Sequence, residues 1–108
     1  MPNVTLYLAS ERMPSADALA RLTVECSDLC TGILRAALEN VHIVYVPVAH
    51  GRGYPAFAEV LLREAPFRST DVLELFMRRL DEAIVRTTGL VARIRCFSFA
   101  AQHIHARN

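Results

Sequence analysis

One pattern of elements is written twice along this chain, and that recurrence limits its fold more than any other feature. Pro2 to Ala9 alternates small or polar residues with apolar ones and is rich in β-formers, which predicts a strand. Ser10 to Pro14 reads as a loop and Ser15 as an N-cap. Leu19, Leu22, Cys26, Leu29 and Ile33 then recur at three- and four-residue steps, the spacing of an amphipathic helix. Gly32 falls inside that spacing and weakens its last turn. β-Branched residues gather again over Val41 to Val48, giving a second strand. After the breaker cluster His50-Gly51-Arg52-Gly53-Tyr54-Pro55 the order starts over. Ala56 to Arg63 reads as a strand and Ala65 to Arg68 as a loop. Leu73, Phe76, Met77, Leu80 and Ile84 mark a helix, with Asp71 and Glu74 at capping-box spacing ahead of it and Thr88-Gly89 at its end. Val91 to Ala100 is the fourth strand.

Each copy is a β-α-β crossover, which should be right-handed with its two strands parallel. The expected class is therefore α+β, with a four-stranded sheet and both helices on one face. At 108 residues the chain makes a single domain, 1–108, with pseudo-repeats at about 2–50 and 55–108. The second sheet face, carrying Val44, Val46, Phe97 and Phe99, is left apolar and uncovered. Composition bears on this point. A hydrophobic content of 53% is high for a domain that buries a modest share of its surface, and subunit contacts are the expected outlet. A ferredoxin-like split βαβ has the same element order, so a non-catalytic ferredoxin-like module for small-ligand binding or oligomerisation stands as the alternative.

Several classes are set aside on composition. A formal net charge of +1 does not make a broad nucleic-acid footprint. No apolar run approaches the roughly 20 residues of a membrane span, and no basic, then apolar, leader opens the chain. A cytoplasmic protein with no nucleic-acid or membrane partner is expected. Three cysteines, an odd number, argue against a disulfide framework. Cys26 and Cys30 share the buried helix face, and no second pair follows at zinc-finger spacing, so they read as buried thiols. His103 and His105 read as part of a loose tail, and Gly51-x-Gly53 lacks the strand-before, helix-after setting of a dinucleotide loop. Asp17, Glu25, Asp28 and Glu39 read as helix-surface charges. No metal or cofactor is expected.

The opening is more specific. Met1-Pro2 followed directly by a strand resembles the tautomerase superfamily. In that superfamily the initiator methionine is removed and the exposed proline is the catalytic base or acid. Pro2-Asn3-Val4-Thr5-Leu6-Tyr7-Leu8-Ala9-Ser10-Glu11-Arg12 is similar to the first strand and loop of 4-oxalocrotonate tautomerase, with Arg12 in the place of a catalytic arginine. Ala56-Phe57-Ala58-Glu59-Val60-Leu61-Leu62-Arg63-Glu64-Ala65-Pro66-Phe67-Arg68-Ser69 resembles the third strand and loop of 5-carboxymethyl-2-hydroxymuconate isomerase, with Arg68 on an active-site arginine. The resemblance departs on the second strand, where His42 stands in place of a further arginine. Arg93 occupies the corresponding place in the second copy, and Tyr54 is the aromatic nearest to a pocket-lining position.

The resemblance implies a cofactor-independent keto-enol tautomerase or isomerase acting on a small carboxylate, a 2-hydroxy-dienoate or 2-oxo acid, and assembled as a homotrimer. It makes Pro2, Arg12 and Arg68 the catalytic residues and His42, Tyr54 and Arg93 the substrate-binding ones. The chemistry agrees with these residue types. Moving a double bond beside a carbonyl needs a base that titrates near working pH, and an α-amino group does so at about 7.7–8.0. Guanidinium groups hold the carboxylate and polarise the developing enolate oxygen.

Overall fold

A computed structural model describes every residue from Met1 to Asn108. The elements run β1 (Asn3–Ala9), α1 (Ala16–Gly32), β2 (His42–Val48), β3 (Ala56–Arg63), α2 (Thr70–Thr88) and β4 (Ala92–Phe99). Single 3-10 turns lie at Ser10–Arg12, Leu38–Asn40 and Ala101–His103. The strands match their sequence-based spans to within one residue at each end, because alternation of apolar side chains reports burial directly.

Helix ends follow local side-chain chemistry. Ser15 caps α1, its Oγ accepting from the Ala18 amide at 3.1 Å. For α2 the expectation of an Asp71–Glu74 capping box is corrected. Ser69 is the cap, with extended backbone and its Oγ accepting from the Val72 amide at 3.3 Å. The helix starts ahead of Asp71, which lies in its first turn, where a carboxylate still favours the exposed amides. Gly89 ends α2 with φ at 72°, a left-handed conformation that glycine adopts without a Cβ clash.

The sheet order is β2-β1-β3-β4. β1 pairs with β2 in parallel, β3 with β4 in parallel, and β1 with β3 antiparallel. Two adjacent β-α-β units thus meet along their first strands. This pairing removes the ferredoxin-like alternative, in which the two strands of a crossover are not neighbours. The four-stranded, two-copy arrangement expected from the sequence is the one present.

Val4, Leu6 and Leu8 of β1, and Ala58, Val60 and Leu62 of β3, point to one face and are fully buried. Leu22, Cys26 and Cys30 of α1 and Phe76, Leu80 and Ile84 of α2 pack onto them. Both helices therefore cover the same face. The Tyr45 hydroxyl lies 2.8 Å from Thr23 Oγ1 and donates to the Leu19 carbonyl at 3.3 Å, fastening β2 to α1. Glu25 differs from a plain surface charge: it pairs with Arg86 and joins the two helices. The opposite face carries Val44, Val46, Phe57, Phe97 and Phe99, with Phe97 still 44% exposed. Tyr7 stacks on Phe57 there, ring centroids 5.9 Å apart. No helix is long and apolar enough to cross a membrane.

Candidate active site

Pro2 precedes β1 on the helix-facing side and is buried. Its carbonyl accepts from the His42 amide at 3.1 Å, which extends the β1–β2 ladder to the amino terminus. The terminus opens into a cavity of about 910 Å³ lined by Met1, Arg35, His42, Arg63, Phe67 and Arg68 among others. The carboxyl-terminal residues Ile104 to Asn108 form another part of its wall.

Arg68 belongs to the β3–α2 loop, whose turn closes through the Arg68 amide onto the Ala65 carbonyl at 2.9 Å. Its guanidinium donates from Nε to the Leu34 carbonyl at 2.9 Å and from Nη1 to the Arg63 carbonyl at 2.7 Å. A planar donor fork held at two points presents its remaining N–H groups in a defined direction. Its carbon also lies 5.3 Å from the centroid of the Phe67 ring, and the Arg35 guanidinium lies 5.1 Å from the same centroid.

Positive charge dominates this wall. Four arginines (Arg35, Arg63, Arg68 and Arg107) line the cavity, against two acidic side chains, Glu39 and Glu64. Neither carboxylate forms an ion pair with them, since the chain's ion pairs are Arg79–Glu82 and Arg86–Glu25, both elsewhere. The amino group of Met1 is held below its ordinary value, first by burial and then by the charges of Arg63 and Arg68. Burial, with Arg63 adding to it, also lowers the Arg68 guanidinium. An anion entering here meets unpaired cations in a partly desolvated setting, where their attraction is stronger than in bulk water.

Pro2, His42 and Arg68 are thus brought to one end of the sheet. Arg12, Tyr54 and Arg93 are not. Arg12 lies in the exposed turn beyond the far end of β1, about 20 Å along the strand from Pro2. Tyr54 and Arg93 line a second cavity, of about 1250 Å³, with Phe57, Arg95 and Phe97. This one sits at the start of β3, where Ala56 pairs with Leu8 of β1. The six residues therefore form two groups of three at opposite ends of one subunit. Nowhere are three or more metal-ligating side chains clustered.

Arg35, Arg63 and Phe67 were not singled out from sequence, and His105, read with His103 as part of a loose tail, lines the amino-terminal cavity. Glu39, read as a helix-surface charge, also lines the amino-terminal cavity. Arg35 lies two residues beyond the last apolar position of the first helix pattern, Ile33, where the periodicity no longer marks any residue. Arg63 and Phe67 lie within the stretch quoted for the isomerase resemblance.

No family model matches the sequence, and no curated protein matches it. Solved structures do match in fold. A wild-type fused 4-OT symmetric trimer is 15% identical, with a TM-score of 0.82 over 98% of this chain and 94% of its own. The macrophage migration inhibitory factor of Toxoplasma gondii is 11% identical, with a TM-score of 0.77 over 97% and 96%. Malonate semialdehyde decarboxylase is 11% identical, with a TM-score of 0.74 over 99% and 92%. The chain has the tautomerase fold.

Proposed function

We propose that this chain is a cofactor-independent tautomerase or isomerase of the tautomerase superfamily, cytoplasmic and homotrimeric, with Pro2 as general acid and base once Met1 is removed. The observation that carries this reading is the amino terminus itself. It opens into a cation-lined cavity that keeps an amine below its usual protonation range.

The secondary amine of Pro2, in its neutral form, takes a proton from the carbon or enol oxygen of a small 2-hydroxy-dienoate or 2-oxo acid. It returns that proton to another carbon, so the double bond moves and the net composition is unchanged. Arg68 holds a carboxylate and stabilises the enolate oxygen as charge develops on it. His42, at the cavity edge, lies in the place of an arginine and makes a weaker anion partner when neutral. Arg12, Tyr54 and Arg93, far from Pro2 in their own subunit, serve a neighbour's site in the trimer. The fused 4-OT trimer, similar in fold, supports such an assembly.

The test begins with the intact mass of protein purified from cells, expected to lack one methionine. Ketonisation of phenylenolpyruvate and of 2-hydroxymuconate, followed by ultraviolet absorbance, is then expected to fall at least about a hundredfold in Pro2→Ala. Retained Met1, or wild-type turnover in Pro2→Ala, defeats the reading.

A further inference from the structure

We infer that residues 104–108 form a strap across the amino-terminal cavity, and that Arg107 on it is a mobile anion ligand that closes the strap when a carboxylate enters. The inference rests on the proposed function only in taking this cavity as the substrate site.

The strap has a hinge, a pin and an arm. β4 ends at Phe99, whose carbonyl accepts from the Glu64 amide at 2.8 Å, so β3 and β4 finish at the end of the sheet where β1 and β2 begin. The 3-10 turn Ala101–His103 is the hinge. It is closed by the His103 amide on the Ala100 carbonyl at 2.9 Å and the Ile104 amide on the Ala101 carbonyl at 3.1 Å. Passing from β4 over β3 and β1 to β2 takes three strand spacings, about 14 Å, and five extended residues reach about 17 Å. Ile104 to Asn108 accordingly share the cavity wall with Arg63 on β3, Met1 ahead of β1 and His42 on β2. Ile104, half-buried among exposed neighbours, is the pin.

The arm is barely attached. His105 to Asn108 are exposed, and no hydrogen bond or ion pair joins them to the rest of the chain. A segment with so few ties opens at little cost in free energy. Arg68 is the contrast within the same cavity, because two backbone carbonyls hold its guanidinium in place. The cavity therefore combines a fixed cation with one that can move.

Charge supplies the trigger. Arg107 shares the cavity with Arg35, Arg63 and Arg68, and the acidic Glu39 and Glu64 pair with none of them. Among themselves these cations repel, which keeps the arm unfastened. A carboxylate held on Arg68 reverses the sign of that interaction. The Arg107 guanidinium then gains a charge-assisted hydrogen bond, and gains it only with the strap down. The anion favours the closed strap by this difference in affinity between the two positions.

The probes are 3-phenylpropanoate, an unreactive carboxylate, and 3-phenylpropanol, its uncharged counterpart, each titrated into the assembled protein at low ionic strength. Order parameters of the amides of residues 105–108, from nitrogen relaxation, are expected below about 0.6 without a probe and near 0.8 with saturating carboxylate. The alcohol should leave them unmoved. Arg107→Gln is expected to bind the carboxylate about fivefold more weakly, to keep a mobile arm at saturation, and to melt with the parent. Ile104→Ser keeps every charge and removes the pin, and should weaken carboxylate binding by a similar factor. An arm that is rigid without a probe, or that orders as much with the alcohol as with the carboxylate, overturns the inference. So does parental carboxylate affinity in either variant, or a carboxylate that does not bind the parent. Neither probe turns over, so wild-type turnover in Pro2→Ala would defeat the proposed function and leave these outcomes standing.

Discussion

Arg68, from the second β-α-β unit, donates through Nε to the carbonyl of Leu34, from the first, at 2.9 Å. One side chain therefore closes the seam between the two units and faces the amino-terminal cavity. Its Nη1 bond to the Arg63 carbonyl ties the β3–α2 loop to the end of β3. Hydrogen bonds to a charged group contribute about 1.5–3 kcal/mol each where they are partly buried. Arg68→Ala is expected to lower stability by about 2–3 kcal/mol in urea unfolding. Arg68→Lys keeps the charge but not the fork, and should recover less than half of that loss. An unchanged midpoint in Arg68→Ala would show that the seam is held by packing alone.

The pH dependence of turnover carries a sign. The base form of the terminal amine is the neutral one, so kcat/KM rises with pH through the amine's pKa. Burial and the charges of Arg63 and Arg68 hold the amine at Met1 below its ordinary value. Once Met1 is removed, the same surroundings are expected to act on Pro2 and to place the acid limb below the usual α-amino range. Arg63→Ala removes one cation and should move that limb toward higher pH, while Arg63→Lys should leave it in place. A limb that does not move in Arg63→Ala would mean that Arg63 is not felt at the base.

The proposed trimer would be built on the face away from the helices. Val44, Phe97 and Phe99 remain 37%, 44% and 40% exposed in the single chain and are the apolar surface such an assembly would cover. Burying such side chains is worth about 1.5–3 kcal/mol each before association costs are met. Sedimentation at micromolar concentration should give a trimer for the parent and smaller species for Phe97→Asp. A parent that sediments as a monomer would remove both the trimer and the neighbour's contribution of Arg12, Tyr54 and Arg93.

Helix caps offer a local check. Ser15→Ala and Ser69→Ala should each cost about 1 kcal/mol, and Asp71→Asn only a few tenths, because Asp71 assists the first turn without capping it. Gly89→Ala, at φ 72°, should cost about 1 kcal/mol or more. A larger loss for Asp71→Asn than for Ser69→Ala, read from denaturant midpoints, would contradict the observed cap.

The thiols should be silent until the chain unfolds. Cys26 and Cys30 are fully buried; the Cys30 thiol beside it, and then burial, push Cys26 above its ordinary value. Burial likewise pushes Cys96 up to about 11. At pH 8 an aromatic disulfide reagent should label none of the three rapidly in the native protein and all three in urea. Fast native labelling of Cys26 or Cys30 would indicate an opening of the α1 seam.

Much of this protein was decided by its sequence. Apolar side chains at every second position placed four strands, and those at every third and fourth placed two helices, because each period keeps one side of a local element out of water. The same alternation put Val44, Val46, Phe97 and Phe99 on the uncovered face. Ser15 and Gly89 were legible for a similar reason, since a cap acts on amides within its own turn. Ser69 was passed over because Asp71 and Glu74 have an equally good local spacing, and only the backbone path into the helix distinguishes the two starts. Strand adjacency was not legible from periodicity, and only the resemblance carried by the amino terminus pointed to it. The β-α-β order suits two pairings, and β1 lies between β2 and β3 because edges and apolar faces from distant segments fit there. The amino-terminal cavity depends most on the tertiary structure. Its walls come from Met1, from Arg35 behind α1, from Arg63 to Arg68 behind β3 and from the tail, which meet only when the sheet is assembled. For the same reason Arg12, Tyr54 and Arg93, grouped with Pro2 by resemblance, lie at the other end of the subunit: an extended strand of seven residues keeps its ends about 20 Å apart.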